Sequence, residues 1–181
     1  TRLAEAEARV TDAEAAIDLA LARAGVDGVQ AALDLGLPYV DSMAWILQAG
    51  HDVPDAIRAP ATTGIRTVED LQTAFPAAAR AALRASLEAE PADNPLDRMA
   101  NFLRAQTGAR STAPREGDDP DAILSRAGAA VDAGDLDAAL TELSALPEAG
   151  QDAMRPWTND VTARLAALAA LPDLIQSITN R

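Results

Sequence analysis

Hydrophobic positions recur at helical spacing along nearly the whole chain, and nowhere do they alternate as in a strand. The clearest case is RAGAAVDAGDLDAALTELSALP, residues 126–147. Its pattern predicts one helix, a break at Gly134, a new N-cap at Asp135 and a second helix ending before Pro147. Just upstream, Asp119 is placed to cap the first of these helices with Pro120 at its opening position. Downstream, Trp157, Val161, Leu165 and Leu168 mark a last helix beginning near Pro156, which Pro172 is expected to bend or end. At the other end, Leu3, Val10 and Ile17 lie seven apart with Ala6, Ala13 and Ala20 between them. That spacing predicts a coiled-coil seam of about three heptads, an ordinary amphipathic helix being the alternative. Gly25 and Gly28 are expected to break or bend it.

Between these ends, residues 29–49 read as a further helical region interrupted at Pro38. Pro54, Pro60 and Gly64 mark short helical pieces, and Thr67 is a candidate N-cap for VEDLQTAF. Two more helices, AAARAALRASLEAE and PLDRMANFLRAQ, follow Pro76, and a polar loop, TGARSTAPREGDD, closes that region. The predicted fold is all-α: an elongated helical array with an N-terminal coiled-coil-like helix, amphipathic helices and a C-terminal helical bundle. The domain limits expected are 1–34, 35–76, 77–117 and 118–181.

Composition narrows the packing. Of the 181 residues 44 are alanine, and aromatics make up 3%. Alanine buries little area per residue, so a core must come from close helix approach. The net charge is −13, and all 15 basic residues are arginine. An acidic chain without a basic stripe is repelled by phosphate backbones, which argues against nucleic-acid binding. Cysteine is absent, which removes disulfides and thiolate chemistry and suits an oxidising compartment. No apolar run approaches the ~20 residues of a membrane span, and no signal peptide is recognisable. The chain begins at Thr1 inside a helical pattern, so the expectation is a fragment with any membrane anchor upstream.

Catalysis finds no support in the residue types. His51, the one histidine, follows Gly50 in a turn-like position, and the serines have no base at a recognisable spacing. The carboxylates are spread along solvated faces, and metal ligands at known spacings are missing. Neither a cofactor nor a metal is expected. GDLDAAL resembles half of a tetratricopeptide unit, but shifting by ~34 residues finds no second copy, and a lone unit cannot bury its own face.

One segment stands out against the acidic background. On a helix, Leu96, Met99 and Leu103 form a stripe with Phe102 beside it, while Asp97, Arg98, Asn101 and Arg104 face away. Six arginines (80, 84, 98, 104, 110 and 115) and four acids lie between Phe75 and Arg115, a local +2 in a chain whose remainder carries −15. A neutral-to-basic island holding an amphipathic helix suits an interfacial membrane contact. Packing on a neighbouring helix is the alternative. Burying Leu96, Met99, Phe102 and Leu103 is worth about 6 to 10 kcal/mol gross, most of it offset by ordering and lost free motion. Each arginine near anionic headgroups adds about 1 kcal/mol. One copy therefore binds weakly, and tethering or self-association strengthens it through local concentration.

DPDAILSRAGAAVDAGDLDAALTELSALP with RPWTNDVTARLAAL, preceded by GIRTVEDLQTAFPAAARAAL and LDRMANFLRAQTGAR, resembles the C-terminal part of the mitofilin family. The order of the pieces, ending in Trp157 and Arg164, carries the resemblance, which covers the chain from about residue 37. Mitofilin is the central subunit of MICOS, the complex that organises cristae junctions, and has alphaproteobacterial relatives. The resemblance implies a non-enzymatic, membrane-shaping and membrane-tethering scaffold with an upstream transmembrane anchor. It places residues 1–24 at the end of a coiled coil, 77–110 in a lipid-binding segment and 118–181 in the mitofilin core. It also implies a periplasmic location at the bacterial inner membrane. Arg80, Arg84, Leu96, Arg98, Met99, Phe102, Leu103 and Arg104 are the expected contacts with anionic lipid. Leu3, Val10 and Ile17 are those expected for homo-oligomer formation. Trp157, Leu143 and Leu165 are assigned to the core. The alternative function is a periplasmic adaptor that binds another protein through the same helix without lipid contact.

Overall fold

In the computed structural model, residues 1–89 and 117–180 are described. Among them are seven helices and no strand, so the chain is all-α. They are α1 (Arg2–Leu35), α2 (Val40–Gln48), α3 (Asp55–Arg58), α4 (Val68–Ala89), α5 (Pro120–Asp132), α6 (Leu136–Leu143) and α7 (Glu148–Thr179). The described residues fall into two compact units: residues 1–67 with 162–181, and residues 68–161. Residue 77, one of the limits expected from the sequence, falls inside α4.

The first unit is built on α1 and α2. Gly25 and Gly28 do not break α1, which runs on to Leu35. Their role is close approach: a Cβ at Gly25 would lie 2.6 Å from both Ile46 Cγ1 and the Ser42 carbonyl, and one at Gly28 would overlap the Ser42 side chain. Two missing side chains thus let α2 settle into α1, which outweighs the ~1 kcal/mol penalty of glycine in a helix. Gly36, in the left-handed conformation at φ 70°, ends α1; the Leu37 N–H closes the turn on the Ala32 carbonyl at 2.9 Å. Ala22, Val26, Val29 and Leu33 of α1 form the core with Tyr39, Ile46, Val53, Ile57, Ile65, Leu171 and Leu174. The buried Tyr39 hydroxyl donates to the Ile57 carbonyl at 2.7 Å, and burial pushes its pKa up to about 12.

The second unit holds the quoted helix pair in the form its sequence predicts. Asp119 Oδ1 accepts from the Asp121 and Ala122 N–H groups at 3.1 Å, with Pro120 opening α5. Gly134 breaks the chain at φ 77°, and Asp135 Oδ1 accepts from the Ala138 N–H at 2.9 Å to cap α6. Arg126 joins the pair through Glu142 at 2.8 Å. Phe75 meets Trp157 edge-on with centroids 5.1 Å apart, and Trp157 Nε1 donates to the Leu71 carbonyl at 2.9 Å. Trp157 and Leu143 are buried as expected, whereas Leu165 is only half-buried.

Three proline boundaries are corrected. α4 passes through Pro76, and α7 begins at Glu148 and passes through both Pro156 and Pro172. An interior proline removes one backbone hydrogen bond and costs about 3 kcal/mol. Here the flanking residues Phe75, Trp157, Leu171 and Leu174 are all buried, and their packing carries the helices across each gap. The buried stripe of α7 is also shifted. It runs Met154, Trp157, Val161, Arg164, Ala167, Leu171, Leu174 and Ile178, and Leu168 is exposed.

Candidate contact surfaces

The sequence nominates two sets of contact residues. In α4, Leu71, Phe75, Ala82 and Ser86 are buried. Arg80 and Arg84, one turn apart, are exposed on a face about 180° away at 3.6 residues per turn. Glu88 continues that face one turn further on. Leu96, Arg98, Met99, Phe102, Leu103 and Arg104 lie outside the described residues. Of the eight expected lipid contacts, the structure therefore brings together Arg80 and Arg84.

The second set is on α1. Residues 1–18 are all exposed, so the first half of this helix contributes no buried side chain to its unit. Leu3, Val10 and Ile17 are 73, 56 and 59% exposed. At 3.6 residues per turn, the residues by which α1 enters its core (Ala22, Gly25, Val26, Val29, Ala32 and Leu33) are centred about 100° around the helix from the line Leu3–Val10–Ile17. An unsupported helical stretch of this length is marginal in water, and an apolar seam along it calls for a partner surface.

Further features were not legible as site candidates. Leu35, Leu37, Val40, Trp45 and Leu47, at and after the end of α1, are exposed apolar side chains. A cavity of about 280 Å³ lies in the second unit, with Leu140, Leu143 and Met154 among its lining residues. Its polar edge is already engaged. Gln151 Nε2 donates to the Ser144 and Leu146 carbonyls at 2.9 and 2.7 Å, and Arg155 pairs with Asp152. Arg164 is buried, and its Nη1 donates to the Leu33 and Arg66 carbonyls at 3.2 and 3.1 Å. Long-range partners of this kind leave no local signal in a sequence.

His51 sits half-buried after α2, its backbone N–H bonded to the Ile46 carbonyl at 3.2 Å. Among the described residues no group of three or more His, Cys, Asp or Glu could hold a metal ion. One described helix, α7, is long and apolar enough to cross a membrane by length and composition, which the sequence reading did not find. Core helices pass the same test, and α7 commits Trp157, Val161, Leu171 and Leu174 to burial. No family model, curated protein or solved structure matches the chain.

Proposed function

We propose that this chain is the helical, non-enzymatic part of a membrane-shaping scaffold of the mitofilin type, which contacts anionic bilayers weakly and self-associates. The observation that carries the reading is that the fold leaves open the described residues nominated for outside contact. Arg80 and Arg84 face away from the core of α4, and Leu3, Val10 and Ile17 are exposed along α1. Neither set helps to hold its own unit together, so both are available to a bilayer or another chain. In this proposal the amphipathic sequence at 96–104 inserts at the interface and the arginines meet the headgroups. Self-association multiplies a weak single-copy affinity. The protein then sits at the periplasmic face of an inner membrane, held by an anchor upstream.

A second reading is favoured by Leu35, Leu37, Val40, Trp45 and Leu47, exposed apolar residues in an acidic surrounding. Aromatic and aliphatic side chains of this kind suit a protein partner, as an adaptor without lipid contact requires. Flotation with anionic liposomes separates the two, using wild type beside Phe102→Glu with an unchanged circular dichroism melt. Flotation of the wild type and not of the variant supports the scaffold. A wild type that stays at the bottom of the gradient moves the adaptor reading ahead.

A further inference from the structure

The charges flanking the exposed seam of α1 specify how a second copy lies on it. With Leu3, Val10 and Ile17 at heptad position a, and Ala6, Ala13 and Ala20 at d, position g falls on Arg2, Arg9 and Ala16. Position e falls on Glu7, Glu14 and Leu21. All g positions with charge are therefore basic, and all e positions with charge are acidic. The four charged side chains are exposed, and none forms a salt bridge with another described residue.

In a parallel, in-register pair, each g residue faces the e residue of the next heptad on the other helix. That geometry sets Arg2 against Glu7, Arg9 against Glu14 and Ala16 against Leu21 of the second copy, on both sides of the seam. An antiparallel pair instead sets e against e and g against g. Glu7 would then face Glu14, and Arg2 would face Arg23, which occupies the next g position after Ala16. Alanine at d permits close approach in either direction, so the charges decide between them. We propose that residues 2–23 form a parallel, in-register two-stranded coiled coil with a second copy of this chain.

The proposal rests on the self-association part of the scaffold reading and adds its direction, register and flanking pairs. The seam is centred about 130° around the helix from the face that packs into the first unit, and residues 1–18 are all exposed, so a second helix can run along it without displacing that core. Three heptads with alanine at d are short, and the pair is weak and concentration-dependent.

Because the chain has no cysteine, single introduced thiols report the geometry directly. The 181-residue protein is examined by light scattering against concentration, then oxidised as Ala6→Cys. Dimer mass at high concentration with a disulfide-linked Ala6→Cys dimer is expected, since position 6 meets itself in the parallel pair. Asp12→Cys, on the outside, stays unlinked. Arg2→Glu with Arg9→Glu weakens the dimer by about tenfold or more. Mixing that variant with Glu7→Arg/Glu14→Arg restores it. If the protein dimerises but the linked product forms between Ala6→Cys and Ile17→Cys chains, the pair is antiparallel. The direction proposed here is then wrong, while self-association stands. In the parallel pair those sites are about 16 Å apart along the axis, beyond disulfide reach. A monomer at every concentration overturns both the direction and the self-association it rests on.

Discussion

Arg164 of α7 donates from Nη1 to the carbonyl of Leu33, in the last turn of α1, at 3.2 Å. The same nitrogen reaches the Arg66 carbonyl at 3.1 Å, while Nε has no partner. Carbonyls in a last helical turn lack intrahelical donors, and α1 has no basic residue of its own there. The guanidinium therefore supplies both a donor and a cation at the negative end of the helix. A buried cation is tolerated here because two backbone oxygens face it.

Removing that donor takes one hydrogen bond each from the Leu33 and Arg66 carbonyls. Arg164→Met is expected to destabilise the protein by about 2 kcal/mol, the order of a lost hydrogen bond to a charged group. Arg164→Lys should fall between, because an ammonium lacks the planar spread of donors. Urea denaturation followed by circular dichroism measures the difference. A methionine variant as stable as wild type would show that the carbonyls are satisfied otherwise.

How much of this could be read in advance depends on where the determining chemistry lies. The α5–α6 pair was legible because Asp119–Pro120 and Gly134–Asp135 act on the backbone beside them. Pro76, Pro156 and Pro172 gave an equally strong local signal that burial of Phe75, Trp157, Leu171 and Leu174 overrides. Arg164 gave no local signal of its role, since its partners lie 131 and 98 positions away. For the contact surfaces, periodicity placed Leu3, Val10 and Ile17 on one line of α1. It did not reveal the exposed Leu35–Leu47 region, because that pattern alone equally fits burial.

Alkali should loosen the first unit before the arginines lose charge. The Tyr39 pKa is raised by burial to about 12 from 10.0, so above pH 10 the unfolded chain sheds this proton while the folded chain keeps it. The stabilisation is complete below pH 10 and is lost between about pH 10 and 12, on the order of 3 kcal/mol at 1.36 kcal/mol per unit. Tyr39→Phe should be less stable at pH 8, where the Ile57 carbonyl loses its donor. It should also show a flatter decline above pH 10. Urea midpoints at pH 8, 10 and 11.5 test both, and equal alkaline slopes for the two proteins would contradict the assignment.

Ser86 and Gly150 should be coupled. The Ser86 hydroxyl is buried without a partner, and a Cβ at Gly150 would overlap its Oγ while meeting the Ala82 oxygen and Leu146 Cβ at an ordinary 3.5 Å. Ser86→Ala is expected to be neutral or stabilising by about 1 kcal/mol. Gly150→Ala alone should destabilise by about 1 to 3 kcal/mol, as overpacking does. In the Ser86→Ala background the same change should cost nothing, or gain up to about 1 kcal/mol of helix propensity. A double-mutant cycle in urea measures the coupling, and strict additivity would refute it.

The central claim is that this fold presents a weakly basic face to anionic lipid. Its most direct test is the partition of the wild-type chain and of Arg80→Glu/Arg84→Glu onto anionic vesicles, measured against salt. Both side chains are exposed on the outer face of α4, so the variant is expected to fold normally. At about 1 kcal/mol per charge near the surface, partition of the variant should fall by about tenfold or more at low salt and converge with wild type as salt rises. Equal partition at every salt concentration, or no partition of the wild type at all, would contradict the account.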